Sequence, residues 1–165
     1  MKPVTIKDLK EELANCTPKE VRELCLRLAR FKKENKELLT YLLFESSDEA
    51  LYLDGVKKEV DDQFELINKK SHYLIKKGFR KILRTIRKYA RYSQKKETEV
   101  ELLLYFCIKL KKITPSILKN AGLQNLYNKQ LEAIRKKVTL LHEDLQFDYE
   151  IELEKLINSN DVRLD

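Results

Sequence analysis

The sequence contains no tryptophan, and only three glycines and three prolines occur among its 165 residues. Hairpin-rich β folds need glycine and asparagine at their tight turns, so this scarcity disfavours an all-β architecture. It also leaves little material for a phosphate-binding loop, and no Walker, dinucleotide-binding or Gly-x-Ser-x-Gly motif is present. These absences favour an all-α protein and exclude the most easily recognised nucleotide-binding and hydrolase sites.

Cysteine is scarce as well, and Cys16, Cys25 and Cys107 show no close pairing. Cys25 and Cys107 lie within apolar stripes, where a reduced cysteine packs as a small hydrophobic side chain. This interpretation is favoured over a disulfide or a redox pair, and it predicts a reducing compartment. We therefore expect a cytoplasmic protein.

Long apolar runs are also missing. The longest unbroken one covers residues 102–108, far short of the roughly 20 residues that span a bilayer. The N-terminal residues contain no apolar core of the kind found in signal peptides. The sequence therefore predicts a soluble protein that does not bind membranes.

Metal-binding and catalytic patterns do not appear. His72 and His142 have no partner at metal-ligand spacing, and no second histidine completes a zinc-protease motif after His142-Glu143. Glu143, Asp144 and Asp148 are residue types that bind cations, but such a cluster is more often a solvated helix face. We expect no metal, no cofactor and no enzymatic activity.

Helix start signals and apolar spacing together predict seven to nine helices. Thr17, Pro18 and Glu20 form a strong capping box at the start of a helix. Thr98 and Glu101 have the same spacing, and Thr114-Pro115 repeats the Thr-Pro start. The spacing predicts helices over about 5–14, 17–31, 34–45, 47–68, 71–92, 98–112 and 115–120, the last ending at Gly122. Beyond Gly122 the stripe from Leu123 to Leu156 predicts either one long helix or two that are broken near 143–148.

The stripes also identify the expected core. The sixth helix is apolar nearly all round and should be central, with Leu103, Phe106 and Leu110 buried. Leu9 and Leu13 should point inward, as should the second-helix stripe of Val21, Leu24, Cys25, Leu28 and Phe31. Short connections predict a layered array of antiparallel helices in one domain over 1–158, followed by a frayed tail over 159–165.

This succession of amphipathic helices, over most of the chain, resembles the α-α superhelical proteins of HEAT-like build, including small uncharacterised bacterial ones. The resemblance implies an α-α superhelix, and some proteins of that build grip DNA with a basic concave face. Their DNA-alkylation-repair members also use tryptophan and acidic residues in a cleft, whereas this chain has no tryptophan. The resemblance rests on the helix pattern alone and transfers no functional residue.

Charge is distributed very unevenly along the chain. Twelve of the 34 basic residues and none of the 27 acidic residues lie in 69–96, which leaves the rest of the chain with a net charge of −5. The net charge of +7 therefore comes entirely from the fifth predicted helix and its flanks.

On a helical projection, eight cations of this segment share one arc of about 140°, and the apolar residues fall on the opposite side. The cations are Lys76, Lys77, Arg80, Lys81, Arg84, Arg87, Lys88 and Arg91. Tyr73 falls inside the arc and Tyr92 just beyond it, where both would be placed to stack on exposed bases. Like charges one turn apart repel, and a bound polyanion would offset that repulsion.

Three interpretations of the basic arc stay open. The arc is solvated or pairs within the fold, it binds nucleic acid, or it binds an acidic protein. Acidic partners within the fold would be Glu59, Asp61, Asp62 and Glu65 of the fourth helix, or Glu143, Asp144, Asp148, Glu150, Glu152 and Glu154. We favour a non-catalytic module that docks a polyanion, preferably a nucleic-acid backbone. The alternative is a protein-interaction scaffold that binds an acidic partner or associates with itself.

Overall fold

The computed structural model describes residues 2–113 and 120–158, and every regular element within these ranges is helical. The expected all-α class, with seven to nine helices, is confirmed. The described ranges contain eight α-helices: α1 Ile6–Ala14, α2 Pro18–Phe31, α3 Lys33–Thr40, α4 Glu49–Glu65, α5 His72–Ser93, α6 Lys96–Lys111, α7 Ala121–Val138 and α8 Glu143–Asn158. A π-helical turn, Tyr41–Glu45, continues α3.

The chain divides into two compact units, residues 1–46 and 47–165. The first contains α1 to α3, with α2 packed against α3. Tyr41 is its one buried side chain among the described residues, while Leu9 and Leu13 are each 45% exposed. The predicted inward orientation of these two leucines is therefore wrong, because three short helices do not supply two apolar layers.

The α2 stripe also remains largely at the surface, with only Val21 half-buried. Whether the two units fold as the one domain expected over 1–158 stays a prediction. The tail expected over 159–165 lies outside the described residues.

Several helix starts follow directly from their capping residues. The backbone N–H of Thr17 donates to the Glu20 carboxylate over 2.7 Å, and the Glu20 N–H donates to the Thr17 hydroxyl over 3.3 Å. The first of these hydrogen bonds lowers the pKa of Glu20, because it stabilises the carboxylate. Asp48 and Ser71 cap α4 and α5 by accepting a hydrogen bond from the backbone N–H of Leu51 and of Leu74, without the reciprocal bond.

The predicted capping role of Thr98 is wrong. Helix α6 begins at Lys96, which places Thr98 inside the first turn, where it is buried. Its hydroxyl donates to Oε1 of Glu49 over 2.6 Å, and Ser93 donates to the same oxygen. The Thr98 hydroxyl thus bonds to a carboxylate of α4 and does not cap the start of α6 as the sequence pattern predicted.

The C-terminal third is two helices, with a break over 139–142 that lies before the predicted region 143–148. The predicted stop at Gly122 is also wrong, because Gly122 lies in the first turn of α7 and no described glycine has a positive φ. Asn120 starts α7 by accepting a hydrogen bond from the Leu123 N–H over 3.1 Å. The short helix predicted over 115–120 falls almost wholly outside the described residues.

Helix α6 forms the centre of the second unit, as predicted. It packs against α4, α5, α7 and α8, and Leu103, Phe106 and Leu110 are at most 2% exposed. The rings of Phe64, Phe79 and Phe106 meet with centroid separations of 6.0, 5.6 and 6.0 Å, and so join α4, α5 and α6. Edge-on and tilted contacts at these distances stabilise a core beyond the area they bury.

Replacing Phe106 with alanine should lower the free energy of unfolding by about 3–5 kcal/mol, because it removes a fully buried ring that touches two others. Urea denaturation followed by circular dichroism measures the change. A reduction below about 1 kcal/mol would contradict the central position of α6.

Gly55 and Gly78 provide a matched pair of glycines inside helices. A methyl group at Gly55 meets nothing within 4 Å, so Gly55→Ala should stabilise the protein by about 0.5–1 kcal/mol through helix propensity. A methyl group at Gly78 would lie 2.9 Å from Cγ1 of Ile67, a buried β-branched side chain. Gly78→Ala should therefore destabilise. Equal stabilisation of both variants in thermal melts would rule out the close approach of Ile67 to α5.

Candidate functional site

Helix α5 separates its apolar and basic side chains completely. Five apolar side chains are at most 5% exposed: Ile75, Phe79, Ile82, Leu83 and Ile86. The basic face consists of the eight cations Lys76, Lys77, Arg80, Lys81, Arg84, Arg87, Lys88 and Arg91. Lys76 and Lys88 are half-buried and the other six are exposed. All eight predicted cations therefore lie along one side of a single helix.

Hydrogen bonds between α4 and α5 fix the rotation of α5 about its own axis. The Tyr52 hydroxyl donates to the backbone carbonyl of Tyr89 over 3.0 Å. Gln63 and Thr85 bond side chain to side chain over 3.1 Å. The Tyr89 hydroxyl donates to Glu59. These hydrogen bonds, together with the buried apolar stripe, hold the basic face away from the core.

Two of the acidic residues expected to pair with the basic face, Glu59 and Asp61 of α4, have other partners. Asp61 pairs with Lys109 over 2.9 Å and accepts a hydrogen bond from the Tyr105 hydroxyl. The hydrogen bond to Asp61 raises the pKa of Lys109. Burial, followed by the same carboxylate, raises the pKa of Tyr105. Asp61 is thus directed to α6, and Glu59 to Tyr89.

Seven cations of the basic face have no carboxylate within 4.0 Å among the residues that the structure describes. They are Lys76, Lys77, Arg80, Lys81, Arg84, Arg87 and Arg91. The ammonium of Lys88 lies 4.3 Å from the centroid of the Tyr89 ring. The described residues therefore give no support to the interpretation that these seven cations form ion pairs within the fold.

A groove of about 480 Å³ runs between α5 and α7. The α5 wall carries Lys76, Arg80, Arg84 and Arg87, which recur along one row about 16 Å long. Lys129 adds a fifth cation from α7, and Leu83 and Leu126 supply apolar surface. Asn125 and Gln130 complete the α7 wall with two carboxamides. Four of the eight cations of the basic face therefore form one side of a concave site.

Sequence reasoning missed the α7 wall of this groove. Gln130 is 7% exposed and occupies a position in the α7 stripe, between Tyr127 and Leu131, where an apolar residue would be expected. Its Nε2 donates to the Leu126 carbonyl over 3.4 Å, whereas its Oε1 has no hydrogen-bond partner in the described structure. A polar glutamine within an apolar stripe was the feature of the sequence that could have identified this residue. Lys129 had no comparable signal.

The two tyrosines assigned to the site differ. Tyr73 is 73% exposed, in the first turn of α5 and on the side of the basic face. Tyr92 is only 8% exposed and packs edge-on against Tyr89 with centroids 5.8 Å apart. Tyr92 cannot stack on a base in this conformation, and its place in the predicted site is corrected. Its position just beyond the basic arc directs its ring to the tyrosine cluster beside α4.

Other features of the described ranges contribute no site. No three His, Cys, Asp or Glu side chains in residues 2–113 and 120–158 are grouped to hold a metal ion. No helix in those ranges has both the length and the apolar character needed to cross a bilayer. Cys107 is buried, and burial raises the pKa of its thiol to about 12, whereas Cys25 is exposed.

Replacing Arg80, Arg84 and Arg87 together with alanine should change the free energy of unfolding by less than about 1 kcal/mol. The change removes no ion pair with a described carboxylate, and it relieves repulsion between neighbouring cations. Thermal melts at low and high salt test this expectation. Lys109→Ala is the control, since it removes the ion pair with Asp61 and should lower stability more at low salt than at high salt, the opposite of the triple variant. Destabilisation above about 2 kcal/mol for the triple variant would mean that the arginines pair within the fold.

Comparison with models of protein families, with curated proteins and with solved structures finds no match for this chain. The likeness to α-α superhelical proteins therefore stays a prediction. The function has to be argued from the geometry of the molecule itself, and the arrangement of cations on α5 is its most distinctive feature.

Proposed function

We propose that this protein binds nucleic acid, with phosphate groups contacting the basic face of α5. The observation that carries the proposal is the set of seven cations that have no carboxylate partner among the described residues. Solvated charges on a helix are common, but they usually alternate in sign. Here twelve cations and no acidic residue occur in 69–96 of a chain whose remainder is net acidic.

Electrostatics explain why a polyanion fits this face. Each phosphate that a cation neutralises releases condensed counterions, and that release favours binding. The 22 residues of α5 extend about 33 Å, long enough to contact several successive phosphates. Bound phosphates would also relieve the repulsion between cations one turn apart.

The rigidity of α5 adds to this argument. Its cations project from a helix that is anchored by five buried apolar side chains and by hydrogen bonds to α4. Side chains presented by a packed helix lose less conformational freedom on binding than those of a mobile loop. The protein therefore acts as a preformed binding module, and no catalytic step is assigned to it.

Salt dependence tests the binding of phosphates. Neutralising about five phosphates of duplex DNA would give a log–log slope of about −4 to −5 for affinity against salt, and a shallower slope with single strands. Alanine at Arg80, Arg84 and Arg87 should weaken binding about equally for all sequences, because side chains that bind phosphates do not read bases. The slope should flatten by about one for each phosphate that is no longer neutralised. Fluorescence anisotropy over a salt series measures both effects.

The matched control is alanine at Arg22, Arg27 and Arg30 of α2, all three exposed. This variant makes the same change of net charge with the same residue types, so general electrostatic attraction falls equally in both. Only the α5 variant should neutralise fewer phosphates and show a flatter slope. Equal weakening by the two variants would contradict a localised site. Failure of the wild-type protein to bind any nucleic acid at about 0.15 M salt would end the proposal.

A protein–protein interaction is the second candidate, and the N-terminal unit favours it. Ile6, Phe31 and Phe44 are 76–81% exposed, and several leucines of the same unit are also exposed. Exposed apolar side chains mark an interaction surface where they form a contiguous patch. Sedimentation of the wild type and of a Phe31→Ser/Phe44→Ser variant tests self-association. A concentration-independent monomer would leave only a different protein as the partner.

A further inference from the structure

We propose that the acidic face of α8 from a second copy of this chain docks on the basic face of α5 and competes there with nucleic acid. The acidic face consists of six carboxylates of α8: Glu143, Asp144, Asp148, Glu150, Glu152 and Glu154. The inference rests on the proposed function and assigns a regulation to the same site. Nucleic acid and the α8 of a second copy are alternative occupants of α5.

Helix α8 is nearly as one-sided in charge as α5, with the opposite sign. Residues 143–158 contain six acidic residues and one basic residue, Lys155. All six carboxylates are exposed. Asp144 lies 3.4 Å from the exposed His142, an ion pair only when the histidine is protonated. No lysine or arginine among the described residues pairs with any of the six. The acidic face is therefore an unpartnered helix face, like that of α5.

The negative surface continues from α8 onto the neighbouring helix α6. The pKa of the half-buried Tyr149 is raised by burial and then by four nearby carboxylates: Glu101, Glu152, Glu97 and Asp148. Glu97 and Glu101 belong to α6, which packs against α8, and Glu101 also pairs with Lys57. Because four carboxylates lie close enough to one ring to affect its ionisation, they form one connected surface.

The charged rows of the two helices match in spacing. Three carboxylates follow one another along α8 at steps of four residues: Asp144, Asp148 and Glu152. Three cations follow one another along α5 at the same steps: Lys76, Arg80 and Arg84. Four residues of an α-helix rise about 6 Å, so a carboxylate meets a cation at each step when the helices lie side by side. Like charges four residues apart repel within each helix, and docking relieves the repulsion in both.

Exposed apolar side chains accompany the charges on both faces. Phe147 is 67% exposed and Ile151 is 36% exposed, and the helical repeat places them between carboxylates on either side. Beside the basic face, a cavity of about 250 Å³ includes the exposed Leu66 and is bordered by three cations: Lys77, Lys81 and Arg84. An apolar centre with a charged rim is the usual arrangement of a protein interface. The two faces therefore offer apolar contact area as well as opposite charge.

The α8 of the same chain does not occupy the basic face. Leu153 and Leu156 are 3% and 8% exposed, and they hold α8 against α6 and α7. The acidic face lies on the side of α8 opposite these leucines. No carboxylate of α8 comes within 4.0 Å of a cation of α5 in the described structure. A second copy carries the same acidic face and is present wherever the protein is.

Charge reversal on either helix, and on both together, tests the docking. The α5 reversal is Arg80→Glu, Arg84→Glu and Arg87→Glu, and the α8 reversal is Asp144→Lys, Asp148→Lys and Glu152→Lys. In sedimentation velocity the wild type should associate, less so at higher salt, and each single reversal should raise the Kd at least about tenfold. The double reversal keeps the net charge of +7 and inverts both faces, so it should associate like the wild type. Circular dichroism checks that each variant is folded.

Fluorescence anisotropy with a short DNA duplex tests the competition. Neutralising α8 with Asp144→Asn, Asp148→Asn and Glu152→Gln should abolish self-association. It should also strengthen duplex binding at protein concentrations where the wild type associates, because α8 no longer occupies α5. The matched control places glutamine at Glu11, Glu12 and Glu23, which are exposed in α1 and α2, and makes the same change of net charge. Its effect on duplex binding should be smaller.

The outcomes separate this inference from the function on which it rests. A wild type that stays monomeric at low salt, or a folded double reversal that stays monomeric, would overturn the docking and leave the proposed function intact. Association that only the Phe31→Ser/Phe44→Ser variant abolishes would also overturn it. Equal strengthening of duplex binding by the α8 and control variants would overturn the competition. Rescue by the double reversal without any binding of nucleic acid by the wild type would overturn the proposed function and the competition, but not the contact between copies.

Discussion

The packing of Phe64, Phe79 and Phe106 against one another is the constraint on which the candidate site depends. It joins α4, α5 and α6 at one point, and it places Phe79 on the buried side of α5. Because side chains on a helix have fixed angular relations, burying Phe79 turns the basic face outward. The tyrosine and glutamine hydrogen bonds to α4 then prevent α5 from rotating. The outward orientation of the basic face of α5 is thus a consequence of core packing.

Charge within the second unit is sorted by the same packing. Asp61 contacts Lys109 and Tyr105, Lys57 contacts Glu101, and Lys137 contacts Glu99, so α6 receives ion pairs from α4 and from α7. The eight cations of the basic face take part in none of these pairs, although Arg87 and Arg91 line a cavity together with Glu99. Repulsion between neighbouring like charges does not stabilise α5, so its stability comes from the burial of its apolar side. The repulsion between these cations lowers the stability of the protein unless an anion from outside the fold neutralises them.

The sequence predicted most of α5 correctly because its signals are local. The predicted range 71–92 differs from the observed helix by one residue at each end, and eight cations fall where a regular helix places them. The errors arise from side-chain contacts that a helical projection does not show. Thr98 donates to Glu49 instead of capping, and Tyr92 packs beside Tyr89. The α7 wall was missed for the same reason, since only the packing of α7 beside α5 brings Lys129 and Gln130 to the basic face.

The groove between α5 and α7 brings together two kinds of side chain, cations mainly from α5 and carboxamides from α7. Cations on an exposed helix attract phosphates at long range, but they do not discriminate between sequences. The Gln130 carboxamide is uncharged and nearly buried, and its Oε1 has no hydrogen-bond partner among the described residues. Gln130 lies on α7 and the arginines lie on α5, and both helices pack against α6. The groove therefore depends on the packing of two helices against α6 as well as on the charge of α5.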